Sequence, residues 1–312
     1  MTRDFALGPG NEFDLIRRLR DRWGPLAVDI GDDASVLRVP RGEQMVVSTD
    51  AAIEDVHFRR DWLTLREIGY RAVTAALSDL AAMAASPQGV LVSLQLSPRA
   101  REGLMELADG IGDAVRAAGT VVLGGNLAHG DVLGITTTAV GSAFTPLTRA
   151  GARPGDLLYV TGALGGPHAA LRAFEAKTTL APELRARFAH PTARIAEARW
   201  LAVRGALAAI DISDGLSGDA AHLAAASDVA IEIQRERVPT FAGATIDDAL
   251  AGGEDYELLL VARTPLPEAE FAKHFAIPLT AVGRVIEGKP GVHFTRAGTR
   301  VAAPPGYDHF SR

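Results

Sequence analysis

The sequence predicts a mixed α/β (α+β) fold, and three observations support that prediction. Helical and strand patterns alternate along the 312 residues, which favours mixed layering over an all-helical or all-β fold. Hydrophobic residues make up 47% of the chain, enough to build a buried core in more than one domain. Charged residues at 22% and 32 glycines form a balance that is typical of α/β enzymes with many turns.

The first half of the chain alternates between amphipathic or alanine-rich helices and short apolar strands. Its predicted elements are a helix at 12–22, a strand at 46–50, a helix at 65–85, and strands at 89–96, 120–123 and 133–141. The first helix is ended by Gly24-Pro25 and the second by Ser86-Pro87, since proline and glycine interrupt helices. The strand at 46–50 is predicted to end on the carboxylate of Asp50.

The second half repeats the alternation after a turn at 151–156, which contains two glycines and a proline. A strand at 157–160 follows that turn, and we predict a domain boundary just before it. The predicted domains are therefore 1–145 and 146–312. The remaining predicted elements are helices at 167–174, 194–203 and 216–226 and a strand at 256–262.

Composition excludes several classes of protein and site. The formal charge is −6 with no stripe of lysine and arginine, which argues against a nucleic-acid partner. No apolar run approaches the length of a membrane span, and the first 13 residues lack the apolar segment of a secretory signal. The absence of cysteine excludes disulfides, thiolate metal sites and cysteine nucleophiles. A cytoplasmic location is expected.

The functional signal lies in the placement of aspartates at strand ends and helix starts. Asp33 lies in a glycine turn between apolar segments, and Asp211 and Asp214 flank a serine before a predicted helix. Asp79 lies on the apolar side of the helix at 65–85, where an unpaired carboxylate would be costly. Carboxylates gathered in this way indicate a shared site for a hard cation such as Mg²⁺, which usually brings substrate phosphates with it.

Each aspartate also has a plainer interpretation. Asp33 is compatible with an ordinary turn, and Asp50 with a strand that ends in water. Asp214 or Ser213 could cap the helix that starts at residue 216. Asp79 fits such alternatives least, because neither capping nor solvent exposure suits the middle of a helix.

Two glycine segments are possible phosphate contacts. Gly124-Gly125-Asn126 follows an apolar strand and would allow phosphates close to the backbone. The segment 162–166 follows another strand, but it breaks the spacing of a dinucleotide loop, and a plain strand-to-helix turn explains it better. The P-loop and protein-kinase motifs are absent from the sequence.

Taken as a set, the motifs resemble those of the thiamine-monophosphate kinase family, within the aminoimidazole-ribonucleotide-synthetase-like superfamily. The resemblance covers essentially the whole chain. The motifs are Ile-Gly-Asp-Asp-Ala at 30–34, Ser-Thr-Asp at 48–50 with His-Phe at 57–58, Leu-Ser-Asp-Leu-Ala-Ala-Met at 77–83, Leu-Thr-Arg at 147–149 with Pro-Gly-Asp at 154–156, Asp-Ile-Ser-Asp-Gly at 211–215, Gly-Gly-Glu-Asp-Tyr-Glu at 252–257 and Gly-Tyr-Asp-His-Phe at 306–310.

The resemblance implies a homodimer whose N-terminal domains pair their sheets, with a C-terminal α/β domain completing an active-site cleft. It implies ATP and thiamine monophosphate as substrates and several Mg²⁺ ions. The metal ligands that it implies are Asp33, Ser48, Thr49, Asp50, Asp79, Asn126, Asp211 and Asp214. The nucleotide contacts that it implies are Gly125, Asn126, Arg149 and Ser213. Of these residues, Arg149 and Asp214 are expected to be catalytic. His57, Glu254 and Tyr307 are expected to hold the thiamine phosphate.

One position departs from the family pattern. Many members read Gly-Gly-Asp-Thr-Thr-Arg where this chain has Gly125-Asn126 followed by Leu-Ala and His129. An amide oxygen can still bind Mg²⁺ but carries no charge, and histidine replaces a permanently charged arginine. The roles of Asn126 and His129 are therefore open.

The resemblance implies in-line attack by an oxygen of thiamine monophosphate on the γ-phosphorus of ATP, helped by positioning and charge neutralisation. Two alternatives remain. One is another superfamily enzyme with a different acceptor, such as a purine-pathway or selenophosphate synthetase, although the latter usually needs a reactive cysteine or selenocysteine. The other is a non-catalytic nucleotide-binding protein that retains the fold.

Overall fold

The computed structural model describes residues 7, 9–28, 30–302 and 306. The chain forms two compact units. The first comprises Met1–Leu80 and Ala85–Thr145, and the second comprises Ala81–Ala84 and Pro146–Arg312. Both combine helices with a sheet, which confirms the predicted mixed α/β fold.

The first unit is a four-stranded sheet with helices. Its helices are α1 (Asn11–Trp23), α2 (Leu65–Ala82), α3 (Pro98–Glu102) and α4 (Leu104–Ala117). Its strands are β1 (Gln44–Ile53), β2 (Ser86–Leu96), β3 (Val122–His129) and β4 (Gly134–Ala143). The strand order is β1-β4-β2-β3, in which β2 and β3 run parallel and the other pairs run antiparallel.

One face of this sheet is buried and the other is open along β1. Alternate residues of β4, among them Ile135 and Ala139, are no more than 1% exposed. On the opposite face of β1, Met45 and Val47 are 49% and 56% exposed. Helices α2 and α4 cross so closely that position 110 must be glycine. A Cβ atom on Gly110 would lie 1.7 Å from the carbonyl oxygen of Arg66.

The second unit is a seven-stranded sheet between two layers of apolar side chains. Its helices are α5 (Gly166–Glu175), α6 (Pro182–Ala189), α7 (Ile195–Ala202), α8 (Leu216–Ser227), α9 (Ile246–Ala251) and α10 (Glu268–Phe275). Its strands are β5 (Leu157–Thr161), β6 (Ala206–Ile212), β7 (Ala230–Gln234), β8 (Glu257–Ala262), β9 (Leu279–Ile286), β10 (Gly291–Arg296) and β11 (Thr299–Val301). The strand order is β11-β10-β7-β9-β5-β8-β6, in which only β10 and β7 pair in parallel among the described strands.

The middle strands of this sheet are buried on both faces. All six residues of β8 are buried. Leu259 and Val261 join the core that contains α8 and α9, whereas Leu258 and Leu260 join the core that contains α7 and α10. Strands enclosed in this way read as continuous apolar runs rather than alternating ones.

Three predicted boundaries were wrong. Strand β1 does not end on Asp50 but continues to Ile53, because β4 supplies pairing partners as far as Gly134. The long helix ends at Ala82, and the Ser-Pro pair predicted to close it belongs to β2. The strand predicted at 120–123 continues to His129, so the glycines at 124–125 lie inside β3 rather than after it, because β2 pairs with them in parallel.

Within the described part of the chain, no helix combines the length and apolar character that crossing a bilayer requires.

Candidate active site

A cavity of about 470 Å³ within the first unit brings together three of the predicted site residues. Asp33, Gly125 and Asn126 all line it. Its walls are α1, the segment 30–35 and the neighbouring parts of strands β2, β3 and β4, and its lining includes Phe13 and Trp23. The cavity therefore combines an apolar wall with a carboxylate, an amide and exposed glycine backbone, which are the features of a small-molecule site.

Glycine is required at position 125 by strand pairing. A Cβ atom there would lie 1.8 Å from the carbonyl oxygen of Val92, its register partner on β2. The next pair in the register, Ser93 and Asn126, places the exposed Asn126 beside the cavity lining. The close approach of two parallel strands thus explains the glycine and fixes where the amide stands.

Strand β1 carries three of the predicted oxygen ligands on consecutive residues, Ser48, Thr49 and Asp50. The hydroxyl of Ser48 donates a hydrogen bond to the carboxylate of Asp79 on α2. The hydroxyls of Thr49 and Thr138 lie 3.1 Å apart on adjacent strands. Asp50 is exposed and accepts a hydrogen bond of 2.7 Å from the backbone of the following alanine. The structure therefore joins Asp79 directly to the strand that carries the other three residues.

Asp79 is half-buried in the last turn of α2, which ends at Ala82, rather than in the middle of a longer helix as predicted. The serine hydroxyl donates to one carboxylate oxygen of Asp79. A half-buried carboxylate beside a hydroxyl offers the oxygen donors that suit a hard cation.

His57 follows the end of β1 in a short turn and is half-buried. Its Nδ1 atom accepts a hydrogen bond of 3.2 Å from the backbone N–H of Ile53. In the neutral ring the proton therefore lies on Nε2, which leaves that atom as a donor. A donor of this kind is suited to a phosphate or hydroxyl oxygen.

In the second unit, the junction of β6 and α8 carries Asp211, Ser213 and Asp214. Asp211 lies in β6 and is 4% exposed. The carboxylate of Asp219, one turn into α8, accepts the backbone N–H groups of Ser213 and Asp214, each at 3.1 Å. Burial first, and then the charge of Asp211, raises the pKa of Asp219 to about 8. Three carboxyl groups therefore lie close together at this junction, and their mutual repulsion disfavours full ionisation unless a cation is bound.

The segment 252–256 lies against the same junction. The backbone N–H of Glu254 donates to the carbonyl oxygen of Ser213 at 2.8 Å, and that of Tyr256 donates to Ile212 at 2.9 Å. Gly253 permits this contact, since a Cβ atom there would lie 2.3 Å from the Ser213 oxygen. The structure thus brings Glu254 beside Ser213 and Asp214.

For two predicted residues, Arg149 and Tyr307, the described part of the chain gives no contact that bears on the predicted role. Arg149 is exposed, and its carbonyl oxygen accepts a hydrogen bond of 2.9 Å from the hydroxyl of Ser227. Tyr307 lies outside the described residues. Their proposed roles in nucleotide and acceptor binding stay predictions.

The predicted metal ligands have suitable chemistry but form no ready cluster. They offer only carboxylate, amide and hydroxyl oxygens, which are the donors that Mg²⁺ prefers. Among the described residues, no group of three or more histidine, cysteine, aspartate or glutamate side chains is placed to hold a metal ion. The donor set fits Mg²⁺, and the sharing of ions by these residues stays a prediction.

Sequence reasoning missed residues that hold the site loops in place, above all Asp219 and Arg187. Arg187 on α6 donates to the carbonyl oxygen of Asp255 at 2.7 Å and to the carboxylate of Glu257 at 2.8 Å. The one available signal for Asp219 was its spacing five residues after Asp214 on an apolar helix. For Arg187, a contact that spans 68 residues leaves no local pattern.

Comparison with known proteins places both units in one family. The family model for the N-terminal domain of AIR synthase related proteins matches residues 31–143, and the model for the C-terminal domain matches residues 153–295. Thiamine-monophosphate kinase of Escherichia coli (strain K12) is 33% identical, over 96% of this chain and 98% of its own length. The chain belongs to the thiamine-monophosphate kinase family. The family enzyme of Methanopyrus kandleri is 36% identical over 92% of this chain and 93% of its own length.

Solved structures of thiamine-monophosphate kinases agree with this family assignment. Thiamine-monophosphate kinase from Stenotrophomonas maltophilia matches with a TM-score of 0.82 at 32% identity, covering 93% of this chain and 98% of that one. AaThiL, solved in complex with AMPPCP and TMP, matches with a TM-score of 0.77 at 31% identity, covering 98% of this chain and 100% of that one. The hydrogenase maturation protein HypE in complex with ATP, at 18% identity and a TM-score of 0.78, shares the fold alone.

Proposed function

We propose that this chain phosphorylates thiamine monophosphate to thiamine diphosphate at the expense of ATP. The observation that carries the proposal is family membership over nearly the full length of both this chain and its relatives. AaThiL, with AMPPCP and TMP bound, aligns with almost the whole of this chain. AMPPCP is an analogue of ATP. The two molecules bound to AaThiL therefore correspond to a nucleoside triphosphate donor and a phosphate monoester acceptor.

We assign the nucleotide to the cavity of the first unit, with Arg149 and Ser213 as further contacts. Gly125 offers exposed backbone beside Asn126, and Asp33 lines the same cavity. The guanidinium of Arg149 would neutralise phosphate charge, a task that suits its planar set of donors. Ser213 is a further proposed nucleotide contact.

The chemistry is an in-line attack by an acceptor phosphate oxygen on the γ-phosphorus. A phosphate monoester is already largely deprotonated at neutral pH, so the chain needs no strong general base. Its own residues hold two anionic substrates in line, and Arg149 offsets the charge between them. The hydrogen bond from Glu254 to Ser213, the neighbour of Asp214, supports a role for Asp214 close to the acceptor.

The predicted oxygen donors would hold several Mg²⁺ ions. These donors are Asp33, Ser48, Thr49, Asp50, Asp79, Asn126, Asp211 and Asp214. When bound, Mg²⁺ supplies neutralisation of the nucleotide phosphates. The Ser48 hydroxyl, which donates to the Asp79 carboxylate, orients that carboxylate in the absence of any ion.

We assign the acceptor to His57, Glu254 and Tyr307. The Nε2 donor of His57 suits a phosphate oxygen, and the carboxylate of Glu254 suits the positive charge of a thiazolium ring. We further propose a homodimer formed through the first unit, because Met45 and Val47 leave an apolar strip exposed on its sheet.

The deciding experiment is an assay of ADP release from ATP and Mg²⁺, with and without thiamine monophosphate, together with detection of thiamine diphosphate. We expect ADP and thiamine diphosphate in equal amounts, and only when the acceptor is present. Nucleotide binding without turnover would favour a non-catalytic protein, and turnover only with other acceptors would favour another superfamily enzyme. Asp61→Asn, on the surface of the first unit, serves as a matched charge control for substitutions of the predicted ligands.

A further inference from the structure

The segment that carries Glu254 has an unusual backbone. Glu254 and Tyr256 both adopt left-handed conformations, with φ values of 64° and 51°, although neither is a glycine. Left-handed backbone is unfavourable for residues with a side chain, so a segment with two such residues needs external contacts to hold it. The residue between them, Asp255, supplies those contacts.

Asp255 is fully buried and is held at both its side chain and its backbone. Its carboxylate accepts the backbone N–H of Gly165, at the start of α5, at 2.8 and 3.0 Å. The glycine segment 162–166 therefore binds an internal carboxylate at the N-terminus of α5, which accounts for that segment without a phosphate. The carbonyl oxygen of Asp255 accepts Nη2 of Arg187 at 2.7 Å.

Arg187 connects this carbonyl oxygen to the buried Glu257. Its Nη2 atom also lies 2.8 Å from Oε1 of Glu257, and its side chain is only 10% exposed. The stem of Arg187 is close to α5 as well, since a Cβ atom on Gly166 would lie 3.0 Å from its Cγ. The side chain of Arg187 is thus held by its ion pair with Glu257 and by packing against Gly166, independently of its contact with the 252–256 segment.

A second arginine provides an internal comparison. Arg194 also pairs with Glu257, through Nε at 2.8 Å and through Nη2, and it contacts Glu197 at 3.3 Å. Its side chain is 11% exposed, nearly the same as that of Arg187. The described contacts of Arg194 end at these two carboxylates, whereas those of Arg187 continue to the backbone of Asp255.

We propose that Arg187 is a positioning residue for acceptor binding. By holding the carbonyl oxygen of Asp255, it fixes the peptide between Asp255 and Tyr256, and with it the left-handed turn that contains Glu254 and Tyr256. The carboxylate of Glu254 is thereby aimed at the cationic part of the acceptor. This inference rests on the proposed function, in which Glu254 contacts thiamine monophosphate.

The test compares Arg187→Met with Arg194→Met in steady-state kinetics, at a temperature where thermal unfolding shows both variants to be folded. Both variants lose a cation beside Glu257, so both are destabilised. Only Arg187→Met is expected to raise the KM for thiamine monophosphate, by about tenfold or more, while the KM for ATP stays within about twofold. Arg187→Lys keeps one donor and is expected to recover part of the loss.

A double-mutant cycle with Glu254→Gln examines the route of the effect. If Arg187 acts through Glu254, the two substitutions together raise the acceptor KM little more than Glu254→Gln alone. Equal KM changes in the Arg187 and Arg194 variants, or parallel changes for ATP and acceptor, would overturn the inference. A wild-type protein without acceptor-dependent ADP release would overturn the proposed function instead.

Discussion

Substitution of Gly253 by alanine tests the contact between the segment 252–256, which carries Glu254, and the β6–α8 junction. Gly253 is not among the residues with positive φ, so alanine suits its backbone conformation. The new Cβ atom would nevertheless lie 2.3 Å from the carbonyl oxygen of Ser213 and 3.3 Å from its carbon. The obstacle is backbone, which has no rotamer to change, so one of the two segments must move.

The size of that movement follows from ordinary contact distances. A carbon and an oxygen rarely approach closer than 3.4 Å, so the segment must retreat by about 1 Å, and a misplacement of that size can cost about 100-fold in rate. The hydrogen bond from Glu254 to Ser213, now 2.8 Å long, would be broken or bent by the same movement. We expect kcat/KM for thiamine monophosphate to fall by about 100-fold, with a loss of stability of about 1–3 kcal/mol.

The assay is acceptor-dependent ADP release, with thermal unfolding measured on the same samples. Gly218→Ala is the matched control, because its Cβ atom would meet nothing closer than 3.4 Å within the nearby helix α8. That variant should keep wild-type activity and gain slightly in stability from helix propensity. Activity of Gly253→Ala within about threefold of wild type, in a folded protein, would refute the reasoning.

Three further predictions concern charge. Asp79→Asn should reduce turnover by orders of magnitude and shift the Mg²⁺ titration upwards, although Ser48 can still donate to the amide oxygen; near-normal activity at ordinary Mg²⁺ would exclude a ligand role. Asn126→Asp should lower the Mg²⁺ concentration for half-maximal activity, because a carboxylate attracts the ion more strongly than an amide; an unchanged or raised requirement would remove Asn126 from the ligand set. Burial raises the pKa of Asp248, but hydrogen bonds from Arg172 and other partners outweigh it and lower that pKa to about 2. Its contribution to stability is therefore present above the unfolded pKa of about 4 and is lost as the pH falls towards 2, so Asp248→Asn should cost about 3 kcal/mol at pH 7 and progressively less in acid urea titrations. A cost independent of pH would assign the effect to packing.

Much of the fold could be predicted because apolar periodicity and helix-breaking residues are local signals. The helix predicted at 216–226 is observed as Leu216–Ser227, and the strand predicted at 157–160 as Leu157–Thr161. In the site, Asp33 and Asn126 were grouped from their motifs and do share one cavity. Local patterns were enough to predict an element or a site residue where the interactions that determine it lie between residues close together in the sequence.

Other features could not be predicted because distant contacts decide them. Alanine favours helices, yet α2 ends at Ala82, and Ala84 adopts a left-handed conformation with φ of 51°. The backbone N–H of Ala84 bonds to Ala81 and that of Ala85 to Leu80, which closes the helix as a C-terminal turn without a glycine. Similarly, the glycines at 124–125 led to a predicted strand end at residue 123, but pairing with β2 places Gly125 within a strand that continues to His129.

The three tryptophans are distributed so that each unit contains at least one. Trp23 lines the cavity that contains Asn126, and its indole N–H donates to the carbonyl oxygen of Ala108 at 2.9 Å. Trp200, in the second unit, lies beneath the guanidinium of Arg204, 3.6 Å from the ring centroid, and stacks on His274. Indole emission responds to nearby charge and to solvent, so filling of the cavity should alter the fluorescence of Trp23. Replacing Trp62 and Trp200 by phenylalanine would leave a single native fluorophore beside the cavity, and replacing Trp23 and Trp62 would leave one that reports on the second unit.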